Sequence, residues 1–216
     1  MLNRELNVIL TNISAWNSPN TNGFAGLGGA QMSEILHHVQ VAKVKAEKFY
    51  GRHHLIQEVL DTLTLSAAAS GMVAGGVGTG DSLRCISLAI IGRTGSGKTA
   101  LMSKVSETLA AAGGPYADLP VIVRFCGTSA GTVDGHELIK SICWQIMYWY
   151  YLPINEATDA KLLKFDDSVM FFHELMKTYP VVLLVDSLDQ LANTYEVRSR
   201  LTIFLDMKPH PRRLVH

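Results

Sequence analysis

The chain of 216 residues is long enough for one domain with a sizeable hydrophobic core. Its 19 basic and 19 acidic residues give a formal net charge of zero, which excludes the electrostatic footprint of a nucleic-acid-binding protein. Hydrophobic residues make up 48% and charged residues 18% of the chain, which excludes a disordered or coiled-coil protein and suits a buried α/β sheet.

The cysteines and the N-terminus indicate the cellular compartment. Cys85, Cys126 and Cys143 have no Cys-x-x-Cys spacing, so we expect reduced thiols and no metal site built on them. The first residues mix Asn, Arg and Glu, unlike a signal peptide, and no apolar run reaches the length of a membrane span. We therefore expect a cytoplasmic protein with no membrane span and no nucleic-acid partner.

The first third of the chain is predicted to be helical after a polar arm. Residues 1–32 are predicted to form a flexible N-terminal arm, because turn-forming residues and glycines dominate its second half. Apolar residues at helical spacing predict one helix from Ser33 to Tyr50 and a second from about Arg52 to Leu65. The small, glycine-rich residues 66–81 predict a flexible connector. Residues 33–82 thus form a helical lead-in.

The strongest motif is a glycine-rich loop between a predicted strand and a predicted helix. The apolar run Cys85–Ile91 has the length of a strand that is buried on both faces. Residues 92–99 read Gly-Arg-Thr-Gly-Ser-Gly-Lys-Thr and match the P-loop pattern Gly-x-x-x-x-Gly-Lys-[Ser/Thr]. Apolar residues at helical spacing follow as far as Ala112, and Gly113-Gly114-Pro115 supplies a stop signal. The pattern therefore occurs in the strand–loop–helix context that it requires.

The residue types of the loop suit phosphate binding. Glycines let the backbone turn tightly and aim N–H groups inward, and the N-terminus of the next helix adds its positive dipole end. Lys98 is predicted to reach the β- and γ-phosphates, and the Thr99 hydroxyl is predicted to bind Mg²⁺. We expect nucleotide contacts from the whole loop: Gly92, Arg93, Thr94, Gly95, Ser96, Gly97, Lys98, Thr99 and Ala100. A glycine loop that only connects a strand to a helix is the alternative, and it leaves the Lys-Thr pair unexplained.

Strands and helices alternate in the rest of the chain. A second strand is predicted at Val121–Cys126, followed by a long helix from about Val133 to Tyr151 and another at Asp166–Thr178. The end of the long helix is dense in aromatic residues, which indicates either core packing or a partner surface. A last helix is predicted at about Glu196–Leu205, and a last strand begins near Arg213.

The apolar run Val181–Val185 and the aspartate after it form the arrangement called Walker B. Such a buried parallel strand delivers a carboxylate, here that of Asp186, beside the P-loop. The alternative is that Asp186 is only a turn residue or a helix cap at the end of the strand. With the P-loop upstream, the pattern predicts that residues 83–216 form a P-loop NTPase domain of α/β class.

Short motifs occur in a fixed order over about residues 33–216, a stretch that covers the lead-in and the predicted NTPase domain. They are Phe49-Tyr-Gly-Arg52, Gly92–Thr99, Arg124-Phe-Cys-Gly-Thr-Ser129, Ser141-Ile-Cys-Trp-Gln-Ile146 and Asp186-Ser-Leu-Asp-Gln190. This ordered set resembles the NACHT family, within the STAND class of signalling NTPases. The likeness is greatest to members that carry WD or TPR repeats, including nephrocystin-type proteins.

The resemblance implies a switch that binds ATP, or less favourably GTP, together with Mg²⁺. It implies a three-layer P-loop fold of the ASCE/STAND type, with a parallel sheet between helices. Lys98, Asp186 and Asp189 would be catalytic: Asp186 would hold Mg²⁺ through water, and Asp189 would orient the attacking water. The segment near the base would consist of Tyr50, Gly51 and Arg52.

Two positions depart from the family pattern. Gln190 stands where many members have a second acidic residue, and Ser187 replaces the usual glycine. One acidic candidate in place of two favours slow hydrolysis. The expected function is therefore nucleotide binding and slow hydrolysis as the conformational switch of a larger signalling or scaffold protein.

The resemblance also implies further regions after residue 216: a sensor region, a winged-helix region and repeats. We therefore expect a C-terminally incomplete sheet, in which the strand near Arg213 inserts between the P-loop strand and the Walker B strand. Partners would be other protein chains, bound through the helices and the missing repeats, with nucleotide-dependent self-association as a further expectation.

Two other functions stay open at this point. A nucleotide-binding scaffold without significant hydrolysis is compatible with Gln190. A small-molecule P-loop kinase would need a lid that carries arginines, yet Arg93 and Arg124 are the only arginines between Arg84 and Arg198. The kinase is therefore the least favoured of the three.

Overall fold

A computed structural model of the chain describes residues 29–69, 88–111, 119–192 and 212–215, with the backbone alone for 65–69 and 212–215. In this part the chain forms helices and short parallel strands, in agreement with an α/β class. The helices are α1 (Gly29–Ala46), α2 (His53–Ala69), α3 (Lys98–Leu109), α4 (Gly135–Trp149), α5 (Glu156–Lys161) and α6 (Phe165–Thr178). The strands are β1 (Leu88–Ile91), β2 (Val121–Phe125), β3 (Val182–Asp186) and β4 (Arg212–Val215), with 3₁₀ turns at Ala130–Thr132 and Leu188–Gln190.

The bounds of the lead-in helices correct the sequence prediction. Helix α1 begins at Gly29 and ends at Ala46, so residues 29–32 are helical and do not belong to a flexible arm. Met32 accounts for this early start, because its side chain is buried in a cluster that includes Trp144 and Tyr148 of α4. Helix α2 continues to Ala69, so residues 66–69 are not a connector; the alanines there have the highest helix propensity. The rest of the predicted arm and connector, and the predicted helix Glu196–Leu205, lie outside the described residues.

The later helices follow the sequence prediction, with one addition. Helix α4 begins at Gly135 because the Asp134 carboxylate accepts hydrogen bonds from the N–H groups of His136 and Glu137, at 2.8 and 3.0 Å. The short helix α5 is not predicted by the apolar pattern, since none of its residues is buried. It is nucleated instead by a capping box in which Asn155 and Thr158 bond each other's backbone.

The strands pair in parallel. Strand β2 pairs with β3 so that Phe125 lies opposite Asp186, and β1 pairs with β4 so that Ile91 lies opposite Val215. The pairing of the last strand with the P-loop strand is thus confirmed. Among the described residues these are two separate two-stranded sheets, so the insertion of β4 between β1 and β3 stays a prediction.

Apolar side chains of the helices pack on β2 and β3 in two main clusters. The largest cluster joins Ile122 of β2 to α4 and α6 through residues such as Ile142, Ile146 and Phe172. A second cluster packs α2 against α3 around Val59 and Val105. Strand β2 is buried along its whole length, which is the burial expected of a strand with helices on both faces.

The aromatic cluster at the end of α4 is mainly core. Trp144 and Tyr150 pack against the largest cluster, and Tyr148 packs against the apolar face of α1. The Tyr150 hydroxyl donates to the Pro180 carbonyl, which ties the end of α4 to the start of β3. Tyr151 is the exception, because 69% of its surface is exposed.

Candidate functional site

The glycine-rich loop connects β1 directly to α3. Gly95 and Gly97 have φ angles of +78° and +87°, in the region that side chains other than glycine rarely adopt. Gly97 is the residue immediately before α3, so its left-handed conformation turns the chain into the helix. The geometry therefore accounts for the glycines of the motif at these positions.

The Lys98 ammonium spans this loop. Its Nζ donates to the carbonyl of Gly92 at 2.8 Å and to that of Arg93 at 3.0 Å. An ammonium carries three N–H donors, so a further one can serve a phosphate oxygen. The contacts hold the charge against the start of the loop, although Lys98 itself is the first residue of α3.

The Thr99 hydroxyl contacts the carboxylate of Asp186, the residue predicted to end a Walker B strand. Thr99 Oγ1 donates to Asp186 Oδ2 at 2.6 Å, although the residues are 87 positions apart in the chain. Asp186 is the last residue of β3 and is only 6% exposed, so the strand delivers its carboxylate into a sheltered place. A carboxylate beside a hydroxyl is an oxygen donor set that Mg²⁺ accepts. The two predicted metal residues are thus brought together and fit such an ion.

Arg52 lies on the P-loop itself. Its Nη1 donates to the Ser96 carbonyl at 2.7 Å, and its guanidinium stands 5.7 Å from the centre of the Phe49 ring. Gly51 and Arg52 both have positive φ angles, +67° and +51°, which turn the chain sharply between α1 and α2. The structure thus places Arg52 beside the glycine-rich loop, whereas Tyr50 is 83% exposed.

The acidic candidate Asp189 lies in the 3₁₀ turn after β3. The turn is entered through Ser187, whose φ of 58° and ψ of 42° are left-handed and would suit the glycine of the family pattern. The Gln190 side chain donates from Nε2 to Asp189 Oδ2 at 2.8 Å. Where a second carboxylate would repel Asp189, this amide binds it.

Three cationic side chains lie at or beside the loop. Arg93 and Lys98 belong to it, and Arg52 hydrogen-bonds to it at the Ser96 carbonyl. The N-terminus of α3 adds the positive end of its dipole at the same place. The arrangement favours an anion with several oxygens, with a divalent cation held by the Thr99–Asp186 pair.

Sequence reasoning missed a polar cluster on the other side of β2. Glu34, His37 and His38 of α1 face Thr128 and Ser129 of the loop after β2. Thr128 and Ser129 belong to a motif that the resemblance rests on, but no role was predicted for them. The available signal was the Glu34–His38 pair at helical spacing on the apolar face of α1.

Sequence comparison identifies relatives with named domains. The human NACHT domain- and WD repeat-containing protein 1 is 33% identical over 171 residues, which are 76% of this chain and 10% of the relative. Its mouse counterpart is 28% identical over 165 residues, 73% of this chain and 9% of the relative. The mouse NACHT and WD repeat domain-containing protein 2 is 30% identical over 115 residues, 51% of this chain and 7% of the relative.

The chain therefore spans a tenth or less of the length of these curated relatives. No protein-family profile matches it. No solved structure matches it either. In the part that the structure describes, no helix combines the length and the hydropathy needed to cross a membrane.

Proposed function

Because this chain belongs to the NACHT family, we propose that it binds Mg²⁺ and a nucleoside triphosphate, ATP in preference to GTP, and hydrolyses it slowly. The observation that carries the proposal is the contact between Thr99 and Asp186. It joins the end of the glycine loop to the end of the acidic strand, and both motifs are needed for a Mg²⁺–nucleotide site. The proposal includes a three-layer P-loop fold for residues 83–216.

Each part of the site has its task in binding. Lys98 and the backbone amides of the loop face the β- and γ-phosphates, and Thr99 and Asp186 hold the metal, Asp186 through water. Bound Mg²⁺ would offset phosphate charge that the protein cations do not neutralise. Arg52 secures the loop at Ser96, and its segment with Tyr50 and Gly51 lies towards the base. These assignments extend to the whole loop from Gly92 to Ala100.

Hydrolysis is assigned to Asp189, which orients the attacking water, together with Lys98 and Asp186. Phosphoryl transfer depends on positioning and charge stabilisation more than on covalent chemistry. The amide of Gln190 holds one carboxylate oxygen of Asp189 and so fixes the direction in which that carboxylate points. A single acidic group of this kind favours a timer with slow turnover.

A nucleotide-binding scaffold without hydrolysis is the second candidate. The same hydrogen bond from Gln190 favours it, since an amide that engages Asp189 also competes with the attacking water. In both cases the domain acts as a switch within a longer, cytoplasmic signalling or scaffold protein. It binds other protein chains through its helices and through repeats such as the WD repeats named in its relatives, and it self-associates in a nucleotide-dependent way.

Isothermal calorimetry with ATP, with Mg²⁺ or with EDTA, tests the metal half of the proposal. Thr99→Ala should weaken Mg²⁺–ATP binding by about 10- to 100-fold, because hydrogen bonds and contacts to charged groups contribute about 1.5–3 kcal/mol. The deficit should vanish in EDTA. Thr108→Ala is the matched control, since Thr108 lies in the same helix and its hydroxyl donates to the Lys104 carbonyl, away from the loop.

Two results would contradict the proposal. One is equal affinity of the wild type and Thr99→Ala in Mg²⁺, with both proteins folded. The other is a wild type that binds neither ATP nor GTP. Single-turnover assays then separate the slow hydrolase from the scaffold. If the domain is a hydrolase, Asp189→Asn should lose nucleotide cleavage and the surface control Asp159→Asn should retain it. If the domain is a scaffold, the wild type itself should show no cleavage.

A further inference from the structure

A partly buried polar cluster fixes α1 to the loop after β2. We call Glu34, His38 and Ser129 the α1 clamp. His38 is fully buried, its Nε2 lies 3.0 Å from Glu34 Oε1 and 3.3 Å from Ser129 Oγ, and the Ser129 hydroxyl also donates to Glu34. Gly131 permits the close approach, because a Cβ there would stand 2.6 Å from Glu34 Oε1.

The partners of His38 define its protonation. The Phe125 N–H donates to Nδ1 at 3.3 Å, so Nδ1 carries no proton and the Nε2–H faces Glu34. Burial and the nearby Arg124 charge lower the pKa of His38 to about 4. Burial alone would raise the pKa of Glu34, but hydrogen bonds from Ser129 and His38 hold it below its ordinary value. A neutral imidazole therefore lies beside a carboxylate, with the Arg124 guanidinium nearby as the balancing charge.

These three residues do not form a nucleophilic triad. In such a triad the acid binds one ring nitrogen and the serine faces the other. Here Glu34 and Ser129 share Nε2, and Nδ1 is occupied by a backbone amide. The arrangement can hold the loop in place but cannot relay a proton from the serine.

The loop after β2, which the clamp binds, also contacts the 3₁₀ turn that carries Asp189. The Cys126 N–H donates to the Asp186 carbonyl at 3.0 Å, and the Ala192 N–H donates to the Val133 carbonyl at 2.8 Å. Between these bonds, a Cβ on Gly127 would lie 2.9 Å from Gln190 Cβ, so loop and turn are in direct contact. The loop from 126 to 133 is thus fixed by α1 on one side and contacts the turn at residues 188–192 on the other, while its bond to Asp186 only continues the β2–β3 pairing.

We infer that the α1 clamp positions Asp189: Glu34, His38 and Ser129 are positioning residues that act through the loop after β2. The inference rests on the proposed function and adds regulation to it, because a shift of α1 against the loop would change the position of the Asp189 carboxylate. The hydrogen bonds of Lys98 and Thr99 go to the glycine loop and to Asp186 rather than to the clamp, so nucleotide affinity is independent of it.

Hydrogen exchange tests the mechanical claim without any need for turnover. Ser129→Ala removes one hydroxyl of the clamp but leaves the packing of α1 on α3. The amides of Gln190 and Leu191 bond within the turn, and they should exchange at least tenfold faster in this variant. Ser168→Ala is the control: Ser168 is also a serine that bonds a histidine, His136, but it is fully buried and lies far along the chain in α6.

Two substitutions of His38 test the clamp independently of Ser129. His38→Gln keeps a donor at the position of Nε2 and should retain protection of the turn. His38→Asn keeps only an acceptor at the position of Nδ1 and should lose that protection. Calorimetry with Mg²⁺–ATP should give Kd values within twofold of the wild type for all these variants.

Each outcome supports or overturns the clamp. Unchanged exchange at residues 188–192 in both Ser129→Ala and His38→Asn, with α4 still protected, would overturn it. Equal loss of protection in Ser168→Ala would also overturn it, as a general loss of stability. A wild type that fails to bind nucleotide would overturn the proposed function, while the exchange rates would still decide whether the clamp holds the turn.

Discussion

An added methyl group at Gly97 tests whether Arg52 packs on the P-loop. A Cβ at Gly97 would lie 2.5 Å from Arg52 Nη2, so the guanidinium must shift, and the shift disturbs the bond from its Nη1 to the Ser96 carbonyl. Gly95 offers a matched control. Its φ is also positive, +78° against +87°, but a Cβ there meets no atom within 4 Å.

The expected loss of unfolding free energy has two parts, the backbone strain of alanine and the displacement of Arg52. Alanine in the left-handed region costs about 1–2 kcal/mol at either position. Displacement of Arg52 adds about 0.5–1 kcal/mol at Gly97 alone, because a charge-assisted hydrogen bond is weakened by solvent at an exposed site. Gly97→Ala should therefore destabilise the protein by about 0.5–1 kcal/mol more than Gly95→Ala.

Urea unfolding in a double-mutant cycle measures this difference. In an Arg52→Ala background the obstruction is absent, so the free energies of unfolding lost at Gly95 and Gly97 should become equal. Equal losses already in the wild-type background, with no coupling to Arg52, would refute the placement of Arg52 on the loop.

Three further predictions concern stability. The pKa of His38 is about 4 in the folded state and 6.5 in the unfolded state, so between these values only the unfolded state binds the proton. The free energy of unfolding should therefore decrease as the pH is lowered from 6.5 to 4, by at most about 1.4 kcal/mol per pH unit, and by less in His38→Asn. Urea unfolding at a series of pH values measures this. Ile146→Ala, at a fully buried position, should cost about 2–5 kcal/mol in thermal or urea unfolding, while Met170→Ala, 59% exposed, should cost under about 0.5 kcal/mol; equal losses would contradict the assigned core. Ser187→Gly should stabilise the protein by up to about 1 kcal/mol, because relief of the left-handed φ outweighs a long 3.3 Å bond to Asp186, and a destabilised variant would reverse that ranking.

The order of elements around the site could be predicted from the sequence. The glycine loop, the apolar strand before it and the aspartate at the end of β3 are local patterns, and each pattern contains the residue types that its geometry requires. The Thr99–Asp186 contact followed from the parallel strand pattern, since such strands end at the same edge of a sheet. The family followed from the order of motifs, and the relatives agree with it.

The rest depends on contacts that no local pattern encodes. The start of α1 at Gly29 is determined by burial of Met32 against other elements, and α5 depends on the capping box at Asn155. The α1 clamp joins residues 91 and 95 positions apart, and Glu34 and His38 are polar residues on a helix whose prediction rested on its apolar stripe. Tertiary contacts of this kind become visible only when the helix is placed on the strand.

The central claim, that this loop binds nucleotide phosphates, is tested most directly by calorimetry with Mg²⁺–ATP on Lys98→Ala and Lys104→Ala. Both substitutions remove one ammonium from α3, but Lys98 spans the glycine loop, whereas Lys104 pairs with Glu107 on the helix surface. If the loop is the phosphate site, Lys98→Ala should raise Kd by about 10- to 100-fold, and Lys104→Ala should stay within about twofold of the wild type. Equal Kd values for all three folded proteins would contradict the claim.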